Sequence, residues 1–241
     1  MSDIFIEKTK SVLKNYESNR IAPRSFEISP NDTKKEQCVL IIGLNPAGDN
    51  GDTEREKQNR TYFFSTEYDI KSDWIYNKYF RPIFTFVNST VDGAKWPWCN
   101  IAWNTLDKEI CSYADIRPYR NELKKHYDEY KDCEHTIYIG DMFYYHETNS
   151  KKLPLCNDID YHTYCQEMLC LHIETLWKHN KNIKYIYINN ARVSHWLRSN
   201  ENATWDTING IKVFYGSLLS GKRCLDGFSR LRLINEITES L

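Results

Sequence analysis

The 241-residue sequence contains no apolar run approaching the roughly 20 residues that a membrane-crossing helix needs, which excludes a helical membrane span. Its first residues, Met1-Ser-Asp-Ile-Phe-Ile-Glu-Lys8, lack the basic patch, apolar stretch and small-residue cleavage site of a secretion signal, which predicts a cytoplasmic protein. The eight cysteines are then expected as reduced thiols. They contain no Cys-x-x-Cys pair, which disfavours a zinc or iron–sulfur site, and neither a metal nor a cofactor is predicted. An excess of charge of one sign is missing as well: 32 basic residues face 33 acidic ones, so any nucleic-acid binding must come from a local patch rather than a global field. Internal repeats, low-complexity tracts and Pro/Gly/Ser linkers are absent, which predicts one domain over 1–241 with an insertion at about 105–155. No Gly-x-Gly-x-x-Gly or Gly-x4-Gly-Lys loop follows a strand, which weakens a nucleotide-binding reading.

What the chain has in quantity is aromatic side chains. Seventeen Tyr, ten Phe and seven Trp serve an aromatic-rich core and offer stacking surfaces for bases or sugars. Three apolar runs read as buried strands: Cys38-Val-Leu-Ile-Ile-Gly43, Ile183-Lys-Tyr-Ile-Tyr-Ile188 and Gly210-Ile-Lys-Val-Phe-Tyr215. Each ends in a polar turn containing Gly or Asn. Trp98–Trp103 and His135–Ile139 are further strand candidates. Ile4, Ile6, Val12 and Leu13 suggest an opening helix, and Met168, Leu169, Leu171, Leu176 and Trp177 suggest a crossover helix over Tyr164–Lys178. Pro118–Lys131 reads as a charged helix within the insertion. Strand, helix, strand in that order implies a parallel sheet with right-handed connections, whose strand-end turns converge on one site. The predicted class is α/β with a parallel sheet.

The turn Gly43-Leu-Asn-Pro-Ala-Gly-Asp-Asn50, directly after the first strand, resembles the first motif of the uracil-DNA glycosylase superfamily in its Asn-Pro form. Three more segments agree in order. Thr61-Tyr-Phe-Phe-Ser65 is similar to the segment whose aromatic ring stacks on the extruded base. Trp98-Cys-Asn-Ile-Ala-Trp-Asn104, preceded by Lys78-Tyr-Phe-Arg-Pro-Ile-Phe84, is similar to the strand that ends in the base-reading Asn. Tyr215-Gly-Ser-Leu-Leu-Ser220 resembles the loop that penetrates DNA.

The resemblance implies a three-layer α/β/α fold with a central four-stranded parallel sheet, of the uracil-DNA glycosylase type, and a monofunctional enzyme that flips a nucleotide out of DNA and hydrolyses its N-glycosidic bond. Access to C1′ requires extrusion, with an aromatic face and a plugging side chain compensating the lost stacking. Phe64 would supply the face, Leu219 the plug, and Asn104 the base contact; the alternative for the Leu218-Leu219 pair is Leu219 in the core with Leu218 exposed. Asn45 would hold the attacking water through its amide, with Asp49 as a second water-orienting group. Leu44, Ala47 and Gly48 would border the base. Gly216, Ser217, Ser220, Lys222 and Arg223 would contact DNA, with Arg230 and Arg232 extending the basic patch.

Two departures from the family pattern shape the substrate expectation. Tyr215 stands where the family has His, so a donor that cannot become a cation replaces the usual stabiliser of the departing base. Ala47 stands where uracil-restricted members have a Tyr wall, which opens the C5 edge. Together with the aromatics of 113–145, this implies a pyrimidine bulky at C5, in its most specific form glucosylated hydroxymethylcytosine of phage DNA, and hence antiviral defence. The alternatives are a uracil or deaminated-base repair glycosylase, and a non-catalytic member that binds DNA or a partner. His146 and His195 read as surface or packing histidines.

Overall fold

The computed structural model describes residues 2–15, 20, 38–45, 81–91, 136–143, 145–149, 151, 153, 159–179, 181–199, 206–220, 224–225 and 227–241. Continuous runs of β-branched and aromatic residues form the strands of its sheet, because residues buried on both faces need no polar alternation. In chain order the strands are β1 (Cys38–Gly43), β2 (Thr136–Asp141), β3 (Ile183–Ile188), β4 (Thr207–Ile208) and β5 (Ile211–Tyr215). Their spatial order is β2-β1-β3-β5-β4. The first four of these are mutually parallel, and the two-residue β4 pairs antiparallel with β5 at the edge. Thr136–Asp141 falls inside the segment read as an insertion, yet it is an integral member of the sheet, in register with all of β1. The Trp98–Trp103 strand candidate and the Pro118–Lys131 helix lie outside the described residues.

β4 and β5 meet through Asn209-Gly210, both with positive φ (52° and 79°). Two such residues between Ile208 and Ile211 give the turn whose twist matches paired antiparallel strands. The strand therefore starts after Gly210 rather than at it.

The helices among the described residues are α1 (Ser2–Val12), α2 (Arg81–Val91), α3 (Ile159–His179), α4 (Ala191–Arg198) and α5 (Gly227–Ser240). No helix among the described residues is long and apolar enough to cross a membrane. α2 opens with Arg81-Pro82, where a missing N–H costs nothing because first-turn N–H groups have no helical acceptor. Asn190 caps α4: its side chain accepts from the N–H groups of Arg192 (3.0 Å) and Val193 (3.1 Å).

Alternation along the strands sorts the core into two layers. Cys38, Leu40 and Ile42 of β1, Ile186 and Ile188 of β3 and Ile211 and Val213 of β5 join one cluster with Met168, Leu169 and Leu176 of α3 and Val193 and Trp196 of α4. α1 packs on α3 on this side, with Thr9 and Tyr164 hydroxyls 3.2 Å apart. On the other face Phe86 of α2 meets Tyr187 at a ring distance of 5.1 Å, Thr90 and Tyr185 share a hydroxyl contact of 2.5 Å, and α5 packs against α2. Right-handed crossovers require this division: the β1-to-β2 connection moves opposite to the later ones and so lies on the opposite face. Trp177, expected to face the core, is 37% exposed with Lys181 over its ring.

Candidate functional site

The chain leaves β1 to form β2 on one side, then passes β1 again to form β3 on the other. The sheet order reverses between β1 and β3, the place where parallel sheets open a crevice at their carboxyl ends. Main-chain bonds carry the ladder into the turns: Met142 N–H donates to Gly43 O (3.0 Å), Phe143 N–H to Leu44 O (2.9 Å), Asn189 N–H to Ile42 O (2.7 Å) and Gly216 N–H to Ile188 O (3.2 Å). Four strand ends are thereby tied into one rim.

Asn45 stands on this rim, half-buried, two residues beyond β1. Its Nδ2 donates to the carbonyls of Tyr145 (3.0 Å) and Glu147 (2.9 Å) in the turn after β2. Two carbonyl acceptors fix which amide atom is nitrogen, and Oδ1 is therefore the atom that can accept from a water. Leu44 does not border the site with its side chain. It is buried in the core cluster, since β1 parity points it at the α3 layer.

In the turn that grips Asn45, the sequence marks Tyr145 as a pocket aromatic and His146 as a surface or packing residue, and neither reading points to the main-chain carbonyls that hold the amide. His146, read as a surface or packing residue, is buried there, and its N–H donates to Arg20 O (2.7 Å). Arg20 Nη1 donates to Glu147 Oε2 at 3.1 Å, the Asn149 N–H donates to Glu147 Oε1 at 2.8 Å, and the Arg20 guanidinium lies 5.6 Å from the Tyr145 ring centre. The available signal was position: Tyr145-His146-Glu147 follows the His135–Ile139 strand candidate as the Asn-Pro turn follows β1. His195 is exposed on α4.

The loop after β5 is braced from three sides. The Tyr187 hydroxyl donates to Ser217 O (2.6 Å), and a Cβ on Gly216 would fall 2.8 Å from two carbons of the Tyr187 ring, so this position accepts only glycine without a shift. Ser194 Oγ donates to Gly216 O (2.7 Å), and Asn189 Oδ1 accepts from Leu219 N–H (2.8 Å). Arg230 Nη2 donates to Leu219 O (2.9 Å).

This bracing corrects several expectations for the loop. Leu219 is fully buried, because both its backbone groups are drawn inward by Asn189 and Arg230, so the plug role does not fit it. Leu218 is the leucine with partial exposure. Ser220 is buried as well, its hydroxyl without a hydrogen-bond partner among the described residues, and so is not placed on a DNA-facing surface. Arg230 is a buried brace rather than part of a surface patch, whereas Arg232 is exposed. Gly216 and Ser217 are half-buried.

Tyr215 shares the parity of Ile211 and Val213 and packs against the α3–α4 core cluster, with the Arg198 guanidinium 5.9 Å from its ring centre. Burial, and secondarily the Asp206 carboxylate, push its hydroxyl pKa up against the opposing pull of Arg198. Tyr215 therefore keeps its proton at neutral pH and acts only as a neutral group. Strand register places it opposite Ile188, which in turn lies opposite Ile42, two strands across from β1.

Ala47, Gly48, Asp49, Phe64, Asn104, Lys222 and Arg223 lie outside the described residues. Among the described residues no group of three His, Cys, Asp or Glu side chains could hold a metal ion. The chain matches no family model, no curated protein and no solved structure.

Proposed function

We propose that the chain is a monofunctional DNA glycosylase of the uracil-DNA glycosylase type that acts in the cytoplasm on a modified pyrimidine bulky at C5. Glucosylated hydroxymethylcytosine of phage DNA is the most specific candidate, with antiviral defence the biology it implies. The observation that carries this reading is Asn45. Within Gly43-Leu-Asn-Pro46 its amide is held in one orientation at the carboxyl end of β1, beside the point where the strand order of the five-stranded, mostly parallel sheet reverses. A side-chain carbonyl fixed on a rigid rim is what positioning a hydrolytic water requires.

In this reading the flipped nucleotide enters the crevice with its base against Phe64 and Asn104, and a water accepted by Asn45 Oδ1 faces C1′. The water oxygen bonds to C1′ as the C1′–N1 bond breaks, the electron pair leaves with the base, and the proton the water gives up to solvent is matched by one the base takes up from it. Tyr215, kept neutral, would offer a hydrogen bond in place of a cation, which predicts a modest rate. Gly216 and Ser217 would meet the DNA, with Lys222, Arg223 and Arg232 as the charged contacts.

The test is alkali-revealed strand cleavage of oligonucleotides carrying uracil, hydroxymethyluracil, hydroxymethylcytosine or its glucosylated form. The expected result is abasic sites in the lanes bulky at C5, reduced about 10²-fold by Asn45→Ala. Cleavage confined to uracil would replace the substrate assignment with deaminated-base repair. A second reading, a non-catalytic DNA- or partner-binding member, draws on the burial of Leu219 and the packing of Tyr215 against the core, and it predicts binding without cleavage in every lane.

A further inference from the structure

Glu147 serves Asn45 and Arg20 at once: its main-chain carbonyl takes one hydrogen of the Asn45 amide, while its carboxylate takes Arg20 and the Asn149 N–H. Three distant parts of the chain meet in this way, around residues 20, 45 and 147. The ion pair is well shielded, with side-chain exposures of 16% for Arg20 and 5% for Glu147. Desolvating two charges largely cancels their attraction, so such a pair is poorly explained as a source of stability and better explained by what it fixes. What it fixes is the 145–149 turn, whose two carbonyls are the acceptors of the Asn45 amide. Arg20 adds two further restraints on the same turn, its carbonyl accepting from His146 N–H and its guanidinium lying over Tyr145.

We propose that the Arg20–Glu147 pair is the positioning device of the site, locking the 145–147 carbonyls so that Asn45 Oδ1 presents in a single direction. Arg20 and Glu147 are positioning residues and touch no reacting atom. The catalytic half of this inference rests on the glycosylase reading; the geometric half does not.

The experiment uses the full chain labelled with 15N, with the Asn45 side-chain NH2 signals assigned by their loss in Asn45→Ala. In the wild type these protons exchange with solvent at least about ten-fold more slowly than those of an exposed asparagine. Arg20→Met and Glu147→Gln remove that protection while β3 backbone amides keep theirs. Because a single change strands one buried charge and can unfold the protein, the double variant Arg20→Gln/Glu147→Gln, a neutral hydrogen-bonded pair, is measured beside them and restores part of the protection. On the cleaved oligonucleotide the single variants lower kcat with KM unchanged.

Protection that survives breaking the pair overturns the proposal. So does lost protection with an unchanged kcat. A wild type that cleaves no oligonucleotide, yet loses Asn45 protection in the variants, overturns the glycosylase reading and leaves the positioning device standing.

Discussion

The Tyr187 ring closes over the Cα of Gly216, so that a Cβ at that position would lie 2.8 Å from its Cε2 and Cζ. The same tyrosine is buried against Phe86 and bonded to Ser217 O, which leaves the ring little room to retreat. Gly216→Ala is expected to lower stability by about 1–3 kcal/mol, the usual cost of overpacking. Tyr187→Phe removes the nearest clashing atom, the hydroxyl oxygen, and should relieve it only in part because Cε2 and Cζ remain, whereas Tyr187→Leu should relieve it further. In urea unfolding the Gly216→Ala/Tyr187→Leu double variant then loses less than the sum of the single losses; strict additivity would mean that the two residues do not meet.

Asn189 ties the last loop to the end of β3. It is buried, and its Oδ1 is the acceptor for the Leu219 N–H. Asn189→Ala leaves that buried donor unsatisfied and should cost about 1–3 kcal/mol. Native-state hydrogen exchange gives the sharper readout: the Leu219 amide should exchange faster while the β1 amides scale only with global stability.

Stability should fall on both sides of neutrality, for different reasons. Burial lowers the His172 pKa well below 6.5, so below that pH the unfolded chain takes up a proton that the native chain refuses, and stability declines as pH drops. Burial raises the pKa values of Tyr187 and Tyr215 above 10, with the Arg230 and Arg198 guanidinium groups opposing. Their contribution is fully present below about pH 10 and is lost above it, as the unfolded tyrosines ionise and the native ones do not. Tyr187 alone accounts for up to about 1.4 kcal/mol per pH unit there, and the more exposed Tyr215 for less. Urea titrations from pH 4 to 11.5, ranges chosen as roughly bracketing both limbs, should show a shallower acid limb in His172→Gln and a shallower alkaline limb in Tyr187→Phe.

The parallel core was legible because runs such as Cys38–Ile42 and Ile183–Ile188 carry their burial in composition alone, and α3 because its apolar residues recur at helical spacing. Leu233, Ile234 and Ile237 of α5 keep that spacing too, but the pattern does not tell that Arg230 is buried beneath the loop it braces rather than part of a surface patch. Asn209-Gly210 is a hairpin signal in the sequence, whereas the apolar run alone places Gly210 inside the strand. Leu218 and Leu219 are neighbours of identical composition, and only the pull of Asn189 and Arg230 decides which turns inward. The grip on Asn45 was beyond sequence reasoning, because it is made by main-chain carbonyls a hundred residues away, and a carbonyl has no sequence identity.

That grip makes a prediction about Asn45→Asp that runs against simple electrostatic reasoning. A carboxylate at the water-holding position should favour an oxocarbenium-like transition state, and exchange of the amide for it would be expected to speed the reaction. Here, however, the substituted atom faces two carbonyl oxygens at 3.0 and 2.9 Å, which demand a donor. An ionised carboxylate would meet them with acceptor against acceptor, so its protonated form is favoured in the fold and its pKa is raised. The destabilisation relative to wild type is then smallest below the unfolded carboxyl pKa of about 4 and grows as pH rises through the folded value. Asn45→Asp should therefore be less stable at pH 7.5 than at pH 4.5, values roughly spanning that carboxyl range, and should cleave no faster than wild type. A gain in rate with no loss of stability would mean that the 145–147 carbonyls do not hold the amide.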